Sequence, residues 1–155
     1  MGMATLMSTH QQLLYHIVFS TKNRKPVLTD GFREEVFAYM AGTCDKLEGT
    51  AIKIGGFYDH AHLLVRIPAK TAVSEFVGSL KCNTSKHIND TSRKIEKFGW
   101  QDGYGAFTVS VSQKDGVLKY IEKQMVHHSE HRFEDEYLHL LRKHEVEFDL
   151  RYVWD

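Results

Sequence analysis

Two short patterns carry the residue types that could do chemistry in this chain. The first is Asp59-His-Ala-His-Leu-Leu-Val, which puts His60 and His62 at positions i and i+2. On a strand those positions share one side, so two imidazoles stand together and can chelate a divalent metal. Ala61, Leu63, Val65 and Ile67 then face the other way, into a core. A histidine-triad nucleotide hydrolase would need a further histidine at the next same-side position, which is Leu64. The second pattern is Tyr120 with Gln124, four residues apart and therefore neighbours on one helix face. A tyrosine hydroxyl can attack a phosphodiester covalently, and an amide oxygen can be a third metal ligand. A free tyrosine has a pKa of about 10, so attack at neutral pH calls for a nearby cation or base. Val117, Ile121 and Met125 form a separate apolar stripe, so the polar pair is expected to border the buried face without being buried. His127, His128 and His131 lie close by, but their spacing is no standard ligand set, and a polar helix end accounts for them.

These residues need a scaffold, and hydrophobic periodicity supplies one. Residues 12–20 read as a strand, rich in apolar, aromatic and β-branched types. Thr29 or Asp30 can cap a helix running to about Leu47, with Phe32, Val36, Phe37 and Met40 on one face and Gly49 as its stop. Strands are expected from Ala51 to Phe57 and from His60 to Ile67, then a helix over 71–90 with Val73, Phe76, Val77 and Leu80 inward. A polar loop leads to an alternating strand from Ala106 to Val111. Helices follow from Lys114 to His128 and from Glu134 to Lys143. The order β-α-β-β-α-β predicts an α+β, ferredoxin-like antiparallel sheet with helices on one face and additional C-terminal helices carrying the tyrosine. On this reading His60, His62, Leu64 and Arg66 look out from an open sheet face. Exposed aromatics, which an RNA-recognition sheet would display there, are missing from it.

Composition fits one catalytic domain over residues 1–155, with 1–10 as a lead-in. Hydrophobic residues make up 42% of the chain, enough for a real core. No apolar run reaches the roughly 20 residues of a membrane span, and no signal peptide is visible. Cys44 and Cys82 sit in no metal-like spacing and read as free thiols. The formal net charge is zero, unusual for a nucleic-acid protein. The charge is unevenly spread, however. Basic residues gather at Lys22 to Lys25 and again from Ser79 to Lys97, including Arg93 and Lys94. From His128 onward acids outnumber bases, so an acidic tail hides a basic middle. Lys22, Arg24, Lys81 and Lys86 are the candidates for meeting nucleic-acid phosphates, should the chain bind any.

Taken together, Tyr15-His-Ile-Val-Phe-Ser-Thr-Lys-Asn-Arg, Asp59-His-Ala-His-Leu-Leu-Val, Trp100-Gln-Asp-Gly-Tyr-Gly-Ala-Phe-Thr-Val-Ser and Tyr120-Ile-Glu-Lys-Gln resemble the IS200/IS605 single-tyrosine transposases. These belong to the nucleases named for a histidine–hydrophobic–histidine motif. The closing Glu147-Phe-Asp-Leu-Arg-Tyr-Val-Trp-Asp resembles the ends of many transposase-like relatives. The resemblance implies that His60 and His62 are metal ligands, Gln124 the third ligand to Mg²⁺ or Mn²⁺, and Tyr120 the nucleophile. It implies cutting and rejoining of single-stranded DNA with hairpin ends, through a 5′-phosphotyrosine, so that an insertion sequence is mobilised. No nucleotide cofactor is needed, and no phosphate-cradling glycine loop occurs. It further implies a homodimer and a cytoplasmic setting in a bacterium or archaeon. The first strand, long and apolar, is expected to be an open edge that a second copy would cover. A single tyrosine at the family's place disfavours a two-tyrosine replication enzyme. Ala61 between the histidines, and Lys123 where relatives often carry Asn, are mild departures. The alternative is a domesticated, catalytically retired DNA-binding protein of the same fold.

Overall fold

The computed structural model describes residues 9–91 and 96–155. Most of the expected lead-in, together with Arg93 and Lys94 of the basic stretch, lies outside those residues. Among them are four strands, β1 (Leu14–Ser20), β2 (Thr50–Gly56), β3 (His60–Arg66) and β4 (Gly105–Val109). They form one antiparallel sheet in the order β2-β3-β1-β4. Five α-helices accompany it: α1 (Phe32–Lys46), α2 (Val73–Thr91), α3 (Lys114–Glu122), α4 (Gln124–His128) and α5 (Phe133–Lys143). This is the expected α+β arrangement, and none of these helices is long and apolar enough to cross a membrane.

Strand alternation sorts the side chains into two cores. Ile17 and Phe19 of β1 and Ala61, Leu63 and Val65 of β3 point to one face. There they pack with Val36, Met40 and Cys44 of α1 and with Phe76, Val77, Leu80 and Ile88 of α2. On the other face Val18 and Phe107 pack with Phe133, Tyr137, Leu140 and Leu141 of α5. The face expected to be open is therefore roofed by the C-terminal helices. The cause is legible in α5: its positions 133, 136, 137, 140 and 141 are all buried, a helical stripe that must find an apolar surface.

Three further expectations are corrected. β1 is not an edge, because β3 and β4 flank it; β2 and β4 are the outer strands. Its apolar character reflects burial on both faces rather than an awaiting partner. The stop of α1 is Glu48, whose φ of 64° takes the left-handed turn, while the Gly49 N–H closes onto the Cys44 carbonyl at 2.9 Å. Finally, the single helix expected from Lys114 to His128 breaks at Lys123 (φ −93°, ψ 9°) into α3 and α4. The break turns Gln124 and His128 onto the sheet and leaves Val126 in solvent at 74% exposure.

One close approach fixes α3 on the sheet. A Cβ at Gly55 would stand 2.6 Å from the Ile121 carbonyl oxygen. Only glycine lets the backbones of β2 and α3 come this near, which holds the turn carrying Tyr120 and Gln124 beside the histidines.

Candidate active site

The register of β1 on β3 pairs Val18 with His62 and Ser20 with His60. Both histidines point to the face covered by α3, α4 and α5, and both are fully buried. His60 Nδ1 lies 2.7 Å from Asp59 Oδ1. Its other nitrogen, Nε2, lies 2.9 Å from Gln124 Oε1 and 3.5 Å from Glu136 Oε1. His62 Nε2 is 3.0 Å from Glu136 Oε1, and its Nδ1 is 2.8 Å from Nε2 of His16 on the neighbouring strand. His128 Nε2 reaches the same Glu136 oxygen at 2.9 Å.

The structure thus gathers His60, His62, Gln124 and Tyr120, which the two sequence patterns singled out, around a residue that neither contains. Glu136 Oε1 faces the three histidines. Its Oε2 accepts hydrogen bonds from the Tyr120 hydroxyl and, at 3.0 Å, from Gln124 Nε2. Gln124 is buried, not at a solvent border as its helix spacing suggested. The chain reversal between α4 and α5 presses that helix face against β3. His128, set aside as part of a polar helix end, is buried too.

Electrostatics follow from this packing. Burial alone would push the Glu136 carboxyl up, yet hydrogen bonds from His128 and His62 and the surrounding imidazoles outweigh it and hold it well below the usual carboxylate range. Burial lowers His62 to about 4 despite the Glu136 carboxylate, and lowers His16 to about 3. Both rings are neutral at physiological pH, the form in which imidazole ligates metals. Burial, and next the Glu136 charge, push the Tyr120 phenol well above its ordinary value. Left as it stands, the site keeps Tyr120 protonated.

The four basic residues expected to meet phosphates divide. Lys22 and Lys81 line one cavity of about 610 Å³ between α2 and the segment reaching Tyr104. Lys81 already donates to the carbonyls of Gln101, Asp102 and Gly103, at 2.5, 3.1 and 2.9 Å, and burial lowers it to about 8. Arg24 lies 3.5 Å from Glu134 and over the Trp154 ring. It also lines a second cleft of about 550 Å³ that reaches Asp59 and His128 and carries Arg132 on its wall. Lys86 is exposed on α2 and lines neither.

Sequence reasoning missed His16, His128 and Glu136, and read Asp59 only as a turn residue. Glu136 had a signal: it is the one carboxylate inside the apolar stripe of α5, between Phe133 and Tyr137. A charge at a core position is unpaired only at great cost, so partners were to be expected.

An antiparallel α+β sheet that sets a His-x-His strand against a helix-borne tyrosine and glutamine is the arrangement that the resemblance to single-tyrosine transposases implied. The family described as "Transposase IS200 like" matches residues 9–124. The transposase of the IS200 element of Salmonella typhimurium is 32% identical over 132 residues, covering 78% of this chain and 82% of that protein. The ISDra2 transposase TnpA of Deinococcus radiodurans is 28% identical, covering 73% and 84%. Among solved structures, a candidate transposase from Deinococcus radiodurans R1 superposes with a TM-score of 0.62 at 21% identity, covering 77% of this chain and 95% of that one. A REP-associated tyrosine transposase bound to a REP hairpin gives 0.59 at 12% identity, covering 79% and 74%. The chain belongs to the IS200-like transposase family, whose members are DNA-cleaving enzymes.

Proposed function

We propose that the chain cuts and rejoins single-stranded DNA with Tyr120 as nucleophile and with Mg²⁺ or Mn²⁺ held by His60, His62 and Gln124. The observation that carries this reading is convergence: the half-buried phenol meets both buried histidines and the buried amide in one cluster. The donor set also suits a cation. With the proton of His60 on the Asp59 side, its Nε2 lone pair faces the oxygens of Gln124 and Glu136. Three acceptors turned toward one another are satisfied by a positive ion placed among them. Carboxylate and amide oxygens accept Mg²⁺ readily, while several imidazoles favour a softer ion, so Mn²⁺ is the better match. A bound divalent ion would supply Lewis-acid polarisation of the scissile phosphate.

The protein's own groups do the rest. Asp59 and His16 orient the two strand histidines from behind, as outer partners of ligating imidazoles do. The Tyr120 oxygen forms the bond to phosphorus while the bond from phosphorus to the 3′ oxygen breaks. That oxygen leaves as an alkoxide and becomes a 3′-hydroxyl by taking up the proton that Tyr120 gives up, relayed through the Glu136 carboxylate to which the phenol donates. A 3′-hydroxyl from a second cut end then displaces Tyr120 and restores a phosphodiester. The linkage energy is kept in the phosphotyrosine, so no nucleotide is consumed. In this way an insertion sequence is mobilised. The deciding experiment incubates the protein with labelled single-stranded DNA from its own genomic flanks, with and without Mn²⁺. A denaturation-resistant adduct that requires Mn²⁺ is expected. DNA binding without any adduct would favour the catalytically retired alternative.

The DNA partner is read as single-stranded with hairpin ends, in keeping with the hairpin bound by the REP-associated relative. Lys22 and Lys86, both exposed, are the free contributors to phosphate contact; Arg24 lines the cleft toward Asp59, and Lys81 shapes its own cavity. Affinity should fall log-linearly with salt, by about 0.7 per phosphate neutralised on a single strand. Lys22→Ala with Lys86→Ala should flatten that slope. An unchanged slope, or equal binding to plain duplex, would remove these residues from the interface.

The chain is further proposed to act as a homodimer, since rejoining two ends needs two nucleophiles and Tyr120 lies against histidines of its own chain. The outer strands β2 and β4 are where a second copy could extend the sheet. Light scattering should give twice the 17.9 kDa of one chain. The mass of one chain would refute the dimer.

A further inference from the structure

We propose that Glu136 serves both halves of the site: one carboxylate oxygen joins His60, His62 and Gln124, together with His128, in the metal centre, and the other holds the Tyr120 hydroxyl. This rests on the metal-assisted reading above and adds to it a ligand set, and a coupling, that the histidine–hydrophobic–histidine motif does not contain.

Geometry separates the two oxygens. Oε1 is 3.0 Å from His62 Nε2, 2.9 Å from His128 Nε2 and 3.5 Å from His60 Nε2. One ligand atom from each of these four residues lies within 4.8 Å of the others, and all four side chains are buried. Oε2 faces away from that group and accepts from Tyr120 and Gln124, with His127 Nε2 at 3.4 Å. No other described carboxylate reaches the cluster centre; Asp59 touches only the outer nitrogen of His60.

The placement of Glu136 in the chain strengthens the argument. It sits on α5, beyond the residues that match the family description. A carboxylate in the apolar stripe of a helix is costly unless its partners are built around it. Here four imidazoles, a phenol and an amide converge on it, more than a structural pairing requires. A carboxylate that ligates through one oxygen and accepts through the other transmits position from metal to nucleophile: moving either partner moves both. Three imidazoles and one carboxylate also resemble a transition-metal donor set more than a magnesium site.

The test uses the full chain and Mn²⁺ alone, with affinity measured by titration calorimetry and folding checked by near-ultraviolet circular dichroism. Wild type is expected to bind one Mn²⁺. Glu136→Gln should bind at least about tenfold more weakly, the scale for losing a ligand or its immediate support. Tyr120→Phe should weaken Mn²⁺ about tenfold in the native background and have no effect in the Glu136→Gln background, because the hydroxyl acts only through the carboxylate. If Glu136→Gln does not fold, Glu136→Asp replaces it; the charge is kept, the carboxylate is withdrawn from both contacts, and the same drop is expected. Native Mn²⁺ affinity in the Glu136 variant overturns the ligand assignment while leaving the two-histidine reading standing. Equal effects of Tyr120→Phe in both backgrounds overturn the coupling. Failure of wild type to bind Mn²⁺, or unchanged binding in His62→Ala, overturns the metal reading itself and the proposal with it.

Discussion

Tyr120→Phe is expected to leave single-stranded DNA uncut and to form no covalent adduct, at saturating Mn²⁺, while DNA affinity stays within about twofold. The substitution deletes one oxygen. The ring keeps its edge contacts with His16 and His62, at centroid distances of 6.1 and 5.6 Å, so α3 has no reason to move. The hydrogen bond to Glu136 Oε2 is lost, but Gln124 Nε2 still donates to that oxygen. The rate should fall by roughly 10⁴-fold or more, the scale seen when a covalent nucleophile is removed. The measurement is cleavage of end-labelled DNA beside a filter-binding curve. Substantial residual cleavage would move the nucleophile elsewhere, and equal loss of binding would mean the variant had misfolded.

His62→Ala should be nearly as severe, for a different reason. His62 is the middle of a chain of contacts running from His16 to Glu136. Alanine removes a proposed ligand and leaves the buried His16 nitrogen without its partner, which costs about 1–3 kcal/mol of stability, while Glu136 keeps His128. Loss of metal assistance costs several kcal/mol more in the transition state, about 10³-fold in rate. Cleavage should disappear even at millimolar Mn²⁺. His16→Asn, which can still hydrogen-bond to His62, should retain Mn²⁺ binding and cut slowly. An active His62→Ala chain would show that the metal is held by other residues.

How much of this was legible depended on whether a residue's partners are near it in sequence. His60 with His62, and Tyr120 with Gln124, each form a pair within one element, and the periods of strand and helix bring such pairs together without tertiary information. Strand order was harder. The apolar run of β1 looked like an exposed edge seeking a partner, whereas the same pattern marks a central strand covered on both faces. The roof over the histidines was missed because the stretch after His128, though read as helical, was read chiefly as an acidic tail. Within that tail, Phe133, Tyr137, Leu140 and Leu141 keep a strict helical spacing, and Glu136 falls in line with them. His128 and Glu136 meet only because the chain reverses between α4 and α5, which neither helix's own pattern announces. Local charge could not separate Lys22 from Lys81 either: one stays in solvent, the other is consumed by backbone carbonyls.

His60 and His62 have no surface open to water. On the proposed reading a phosphodiester must reach atoms that water does not touch here, so catalysis requires α4 and α5 to shift from the sheet first. Turnover then has a ceiling set by the frequency of that shift, however fast the chemistry beneath it. Between such shifts the strand histidines are shielded from adventitious ions, while Tyr120 stays only half-buried. On that reading the closed arrangement is the resting one, and a DNA strand meets the histidines only when these helices part.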